Sequence, residues 1–156
     1  MLADIVDAAT RSRMMAGIRS KDTKPELVIR RGLHALGFRF LLHDRRLPGK
    51  PDMVLPRWRA VIFVQGCFWH GHDCPLFKWP QSRQDFWREK ITGNIERDHQ
   101  STGRLEHEGW RVLTIWECAL KGVTRIGAEN AVRLAAEWLR SDNPKSEIRG
   151  QQNGAG

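Results

Sequence analysis

Apolar positions fall along the chain in blocks of two different periods. Leu27, Ile29, Leu33 and Leu36 line one face of a helix. Thr23 stands before it as a cap, Pro25 suits its first turn, and Glu26 lies three residues after Thr23, as in a capping box. Gly37 supplies the stop. Phe38–Leu42 then reads as a strand, and His43–Lys50 as a polar, basic loop ending in Pro48-Gly49. Pro51-Asp52 opens a second strand, Met53–Leu55. Pro56–Arg59 turns the chain, and Ala60–Val64 is a continuous apolar run of the kind found in buried central strands. Residues 66–80 have no period and are rich in Gly, Pro, Cys and His. Ser82 is positioned to cap a long helix from about Arg83 to His107, with Gly109 beyond its end. Arg111–Trp116 is a fourth strand. Residues 125–140 have helical spacing, with Ile126, Val132, Leu134, Trp138 and Leu139 as the apolar set. Residues 10–18 read as a short basic helix, and from Asn143 the chain reads as a solvated tail.

This order predicts an α/β fold with a small mixed central sheet flanked by helices. The short turn between strands 52–55 and 60–64 makes them an antiparallel hairpin. A single domain is expected over residues 1–142, with 143–156 as a flexible tail.

Charge sharpens the picture. The 156 residues carry a net charge of +8, and residues 1–60 alone account for +7. A basic part joined to a near-neutral remainder suits a polyanionic partner, most simply nucleic acid. No apolar run approaches a membrane span, and the first residues lack the basic start and apolar core of a signal peptide. Three cysteines, an odd number, argue against a disulfide scaffold, so a reducing cytoplasm is the expected compartment. Seven Trp without any Tyr is more than one small core needs.

Three constellations carry candidate chemistry. Cys67, His72 and Cys74 lie in one loop, with His70 as a spare donor and Cys118 just past strand 111–116. If that strand ends beside strand 60–64, Cys67, His72, Cys74 and Cys118 close a tetrahedral zinc shell. An open, deaminase-type zinc needs an adjacent glutamate, which the loop lacks; the plainer reading is small cysteines filling a core. Phe68, Trp69 and Trp87 lie near this loop, and Trp87, Lys90, Ile91 and Asn94 share one helix face. Such a surface can stack on bases and read their edges, although the same aromatics also suit core anchors. Finally, Asp52 begins one strand while Val64-Gln65 ends its partner. A carboxylate and a backbone carbonyl so placed can hold magnesium beside a phosphate. Glu26 can reach that site through water, and His70 can serve as base or phosphate partner. Their plainer readings are a Pro-Asp turn, a capping-box residue and a zinc ligand.

Taken together, Pro48-Gly49-Lys50-Pro51-Asp52, the block Val61 to Cys74, Phe86–Ile91 with Asn94–Asp98, Gly109–Leu113 and Ile115–Leu120 resemble the very short patch repair DNA mismatch endonucleases. The resemblance runs from Ala9 to about residue 140. It implies a restriction-endonuclease-like fold with a structural zinc, and a magnesium-dependent nick 5′ of the thymine in T·G mismatches left by 5-methylcytosine deamination. Carried over by motif, Asp52 binds the metal, Val64 lends its main-chain carbonyl, His70 is the catalytic histidine, and Glu26 is the supporting acid. Cys67, His72, Cys74 and Cys118 hold zinc. Phe68, Trp69 and Trp87 wedge into the base stack, Met15 and Ile18 approach from the other groove, and Lys90 and Asn94 face the mismatched pair. The implied partners are mismatched double-stranded DNA, a MutL-type mismatch-repair protein and DNA polymerase I, with the enzyme a monomer. The family often has a histidine where this chain has Gln65. An amide cannot shuttle a proton but can hydrogen-bond a phosphate or water, so more weight falls on His70. Two alternatives stand beside the nickase: a zinc-stapled DNA-binding module without catalysis, which Gln65 favours, and a related restriction endonuclease.

Overall fold

The computed structural model describes residues 23–151. The helix expected over residues 10–18, with Met15 and Ile18, lies outside them.

Helix α1 (Lys24–Ala35) starts at Thr23, whose hydroxyl accepts from the Glu26 backbone N–H at 3.4 Å. Only half of a capping box forms, because the Glu26 carboxylate bonds instead to Arg30 and His43. The helix ends in a Schellman motif: Phe38 N–H donates to Leu33 O, Gly37 N–H donates to His34 O, and Gly37 takes φ +97°. This closure shortens the strand expected over Phe38–Leu42. Phe38 is still finishing the helix and packs into the core against Trp58, so strand β1 is only Leu41–Leu42. Leu36, expected on the apolar face, is exposed at the helix end.

Strands β2 (Met53–Leu55) and β3 (Ala60–Gln65) form the expected antiparallel hairpin around a 3-10 turn at Pro56–Trp58. Helix α2 (Gln84–His107) follows the irregular loop. Ser82 does not cap it. Arg83 is the cap residue, in a left-handed conformation, and its guanidinium lies over the Phe86 ring. Strand β4 (Arg111–Trp116) runs parallel to β3, and helix α3 (Ala128–Arg140) begins after Gly127.

The expected tail is wrong in part. Lys145–Ile148 form strand β5, parallel to β4, at one edge of a five-stranded sheet ordered β1-β2-β3-β4-β5. The segment hides from a hydrophobicity reading because only Ile148 of the four is buried. An edge strand needs backbone partners more than apolar side chains.

Helices α1 and α3 cover one face of the sheet, where Ile29, Leu33, Ile62, Leu113, Ile115, Ala135 and Leu139 make the main core. A smaller cluster of Val54, Val61, Phe63, Leu105 and Val112 packs α2 on the other face. Each fully buried Leu or Ile contributes about 1.5–3 kcal/mol. The two clusters fix the sheet between its layers, so the ends of β2, β3 and β4 become rigid mounts for polar groups. The mixed sheet with flanking helices is the α/β architecture expected. Among the described residues no helix is long and apolar enough to cross a membrane.

Candidate active site and metal centre

Asp52 immediately precedes β2, and antiparallel pairing brings it beside Val64 of β3. Its Oδ2 accepts from the Val64 backbone N–H at 2.7 Å. Helix α1 delivers the Glu26 carboxylate, only 1% exposed, to the same point. Glu26 Oε2 accepts from Arg30 Nη1 at 2.9 Å and from His43 Nε2 at 2.6 Å. Donor atoms of Glu26, His43 and Asp52 lie within 4.8 Å of one another, a spacing that one metal ion can bridge. Glu26 therefore stands directly at the Asp52 site. Burial, and the charge and hydrogen bond of Glu26, push the Asp52 carboxyl up to about 8, although the Val64 N–H opposes the rise. Two carboxylates in one buried corner repel each other, and a divalent cation relieves that repulsion.

His43 and Asp52 line a cleft of about 590 Å³ that also has Arg45, Lys50, Gln65, His70, Asp98 and Ser101 in its walls, with Glu26 buried behind them. His70 faces Asp98 of α2, Nδ1 to Oδ2, at 2.5 Å. A carboxylate accepts, so Nδ1–H donates to Asp98, and in the neutral imidazole the lone pair is then on Nε2. The arrangement can hold a cation at Asp52, grip a phosphate with Arg45 and Lys50, and offer an oriented imidazole in the same cleft.

The second centre follows from the parallel register of β3 and β4. Gln65 pairs with Trp116, so Cys67 and Cys118 emerge side by side from the same sheet end. The loop folds back through His72 and Cys74, and the four donors lie within 4.8 Å of one another. His70 is not in this group. Cys67, His72 and Cys118 are buried, and burial raises the Cys67 and Cys118 thiols. Burial first, and the nearby Arg149 second, hold His72 below the usual imidazole range, which favours the neutral form that ligates metal. Its ring stacks on Trp116 at 3.9 Å. The tail seals the centre: Gly150 N–H donates to Cys118 Sγ at 3.4 Å, and Arg149 donates to the Asp73 carboxylate and backbone carbonyl at 2.8 Å each. Buried, clustered thiols are costly to ionise alone, whereas a bound cation stabilises the thiolate form; the donor set fits a closed metal site.

Comparison with known proteins adds lineage to geometry. The family model of the DNA mismatch endonuclease Vsr matches residues 3–76. The chain is 44% identical to the DNA mismatch endonuclease Vsr of Escherichia coli (strain K12), over 94% of both chains. The chain belongs to the Vsr DNA mismatch endonuclease family. It is also 44% identical, over 81% of this chain and 93% of that one, to the type II nicking enzyme V.XorIIP of Xanthomonas oryzae pv. oryzae. With V.NmeAIP of Neisseria meningitidis the identity is 47%, over 87% of this chain and 96% of that one. Membership in the Vsr family makes the protein a DNA endonuclease with a restriction-endonuclease-like fold, and the reading as a module without catalysis falls away.

The aromatics of this Vsr relative form their own cluster outside both core clusters. Phe68 packs edge-on against Trp69, at 5.2 Å between ring centroids, and against Trp87, at 5.4 Å. All three are half-buried, so they are neither plain core anchors nor free side chains. Ile91, on the same helix as Trp87, is fully buried. Asn94 donates from Nδ2 to the Trp69 carbonyl at 2.8 Å and accepts from Arg97 Nη2, so it ties the loop to α2. Lys90 is half-exposed on the same helix. Sequence reasoning missed His43 and Asp98 as site residues. The signal for His43 was strand pairing: its N–H donates to Asp52 O, one step past the Leu42–Met53 pair. Asp98 lies on α2 seven residues past Ile91, on the stripe that faces the sheet.

Proposed function

We propose that this chain nicks DNA 5′ of the thymine in T·G mismatches, using a magnesium ion at Asp52 and a structural zinc at Cys67, His72, Cys74 and Cys118. The observation that carries this reading is that Asp52, with Glu26 beside it, lines the same cleft as His70, Arg45 and Lys50, with the aromatic cluster at the neighbouring loop.

Asp52, fixed by the Val64 N–H, and Glu26 are the carboxylates that hold the cation; the Val64 carbonyl is a third oxygen donor by motif. Magnesium, when bound, lowers the pKa of its water and neutralises charge on the phosphate. Arg45 and Lys50 neutralise the flanking phosphates, which makes affinity fall with salt. His70, held by Asp98, presents Nε2 to the phosphate or its attacking water and moves a proton there. Gln65 in the cleft wall hydrogen-bonds phosphate or water without carrying a proton.

Selection rests on deformability. A T·G wobble stacks weakly, so opening its step costs less than opening a matched one. Phe68, Trp69 and Trp87 form the wedge, with Met15 and Ile18 acting from the opposite groove and Lys90 reading the pair. Asn94 acts first on the wedge, through its bond to the Trp69 carbonyl. With zinc bound, Cys67, His72, Cys74 and Cys118 would hold the loop rigid, so that little binding energy would be lost in ordering it. The chain acts as a monomer on double-stranded DNA, and a MutL-type repair protein and DNA polymerase I continue the repair.

The test is cleavage of a T·G duplex with magnesium and with a chelator, by the wild type and by Asp52→Asn. A single nick, lost in both controls, supports the reading. A nick that survives Asp52→Asn refutes it.

A further inference from the structure

Of the ionisable side chains that line the cleft, His43 is the one that the proposed mechanism leaves without work. Its surroundings are built rather than incidental. The residue takes φ +49°, a left-handed conformation uncommon for any side chain but glycine. Its backbone N–H is tied to Asp52 O at 3.1 Å, and its Nε2 is directed onto the buried Glu26 carboxylate. Backbone strain of this kind persists where the surrounding structure over-determines it, and it collects at functional sites. The imidazole is 20% exposed, so an ion entering from the cleft can reach it.

We propose that His43 is a ligand in the cation site, completing a Glu26–His43–Asp52 set of one imidazole nitrogen and two carboxylates. Such a set prefers a first-row ion such as Co²⁺ or Mn²⁺ over Mg²⁺. The donor chemistry gives the reason. Magnesium is bound almost wholly by oxygen and gains little from an imidazole, whereas affinity for nitrogen donors rises along the first-row series. Three parts of the fold supply the set: α1 gives Glu26, the residue just after β1 is His43, and the residue just before β2 is Asp52. Their donor atoms already lie within 4.8 Å of one another, so adjustments of side chains alone bring them onto one ion. On ligation His43 Nε2 exchanges its hydrogen bond to Glu26 Oε2 for the ion, and the neutral ring carries its proton on Nδ1. This deepens the proposed function and rests on its placement of the catalytic cation at Asp52.

The test reads ion binding without DNA. Zinc-loaded protein, its thiol site filled, is titrated with Co²⁺ by visible absorption, and with Mn²⁺ and Mg²⁺ by calorimetry. The wild type, His43→Gln and Asp52→Asn are compared. His43→Gln keeps a donor for Glu26, and circular dichroism checks its fold. The expected result is Co²⁺ and Mn²⁺ binding weakened roughly tenfold or more in His43→Gln with Mg²⁺ binding little changed, and all three lost in Asp52→Asn. Unchanged Co²⁺ and Mn²⁺ affinity in His43→Gln overturns the assignment, and a merely structural imidazole gives that result with a lowered melting temperature. Nicking of a T·G duplex, run in parallel, separates the two claims. No nick with any ion, alongside His43-dependent Co²⁺ binding, refutes the nickase and leaves the ligand assignment standing.

Discussion

Cys67 and Cys118 each follow, by two residues, a pair of register partners, Gln65 of β3 and Trp116 of β4. Parallel pairing thus turns two cysteines far apart in sequence into neighbours at one sheet end. The candidate metal site depends on this register as much as on the cysteines. Cys118→Ser is expected to lower bound zinc and melting temperature together, since binding to a structural site contributes to folding. Metal analysis beside a thermal melt checks it; full zinc content in the variant removes Cys118 from the shell.

The same centre is closed by the C-terminal strand. Arg149→Ala releases the Asp73 carboxylate and backbone carbonyl from their clamp. Zinc loss to a chelator should accelerate several-fold, as it does when groups supporting metal ligands are removed. Stopped-flow transfer of zinc to a coloured chelator measures it, and an unchanged rate contradicts a sealing role for β5.

Asp52 gives a pH prediction with a definite sign. Its folded-state carboxyl is raised to about 8, against an ordinary carboxylate in the unfolded chain. In the cation-free protein its contribution to stability is present in acid and is lost as pH rises from about 4 through about 8. Asp52→Asn removes that loss. Near pH 9 the metal-free variant should be more stable than wild type by on the order of 1–3 kcal/mol, while nicking falls to background. Denaturant unfolding across pH decides it; a variant less stable than wild type at every pH contradicts the account.

Much of the fold was legible because its signals were local. The apolar run Ala60–Val64 and the period of Arg111–Trp116 marked β3 and β4, which extend over Ala60–Gln65 and Arg111–Trp116. The hairpin followed from the short turn at Pro56. The misses came from tertiary effects. The N–H groups of Gly37 and Phe38 close α1 with two backbone bonds, which takes Phe38 out of the strand. Lys145–Ile148 is a strand because β4 offers it an edge, not because its residues favour one. The cysteine and histidine density marked the metal loop, and the structure groups His72 rather than His70 with the thiols. His43 was hidden because a histidine in a basic loop carries no signal until strand pairing sets it against Asp52.

His70 and Asp98 work as a unit in this account. His70→Gln should reduce the nicking rate by about 10²–10⁴-fold, the usual worth of a positioned acid or base. Asp98→Asn should cost less and shift the pH profile, because it loosens the ring's tautomer and orientation without removing Nε2. Single-turnover rates across pH test both, and an Asp98→Asn profile superimposed on wild type rules out the coupling.

The central claim is that an aromatic wedge beside the Asp52 cleft selects a weak base step. Its most direct test uses strand-labelled duplexes, T·G and matched T·A in the same flanks, cut under single-turnover conditions by wild type and by Phe68→Ala/Trp69→Ala. The account predicts one nick, on the thymine strand of the T·G duplex alone, and a double variant whose mismatch preference falls much further than its general DNA affinity. Equal losses of preference and affinity, or wild-type cleavage of both strands of the matched duplex, contradict it.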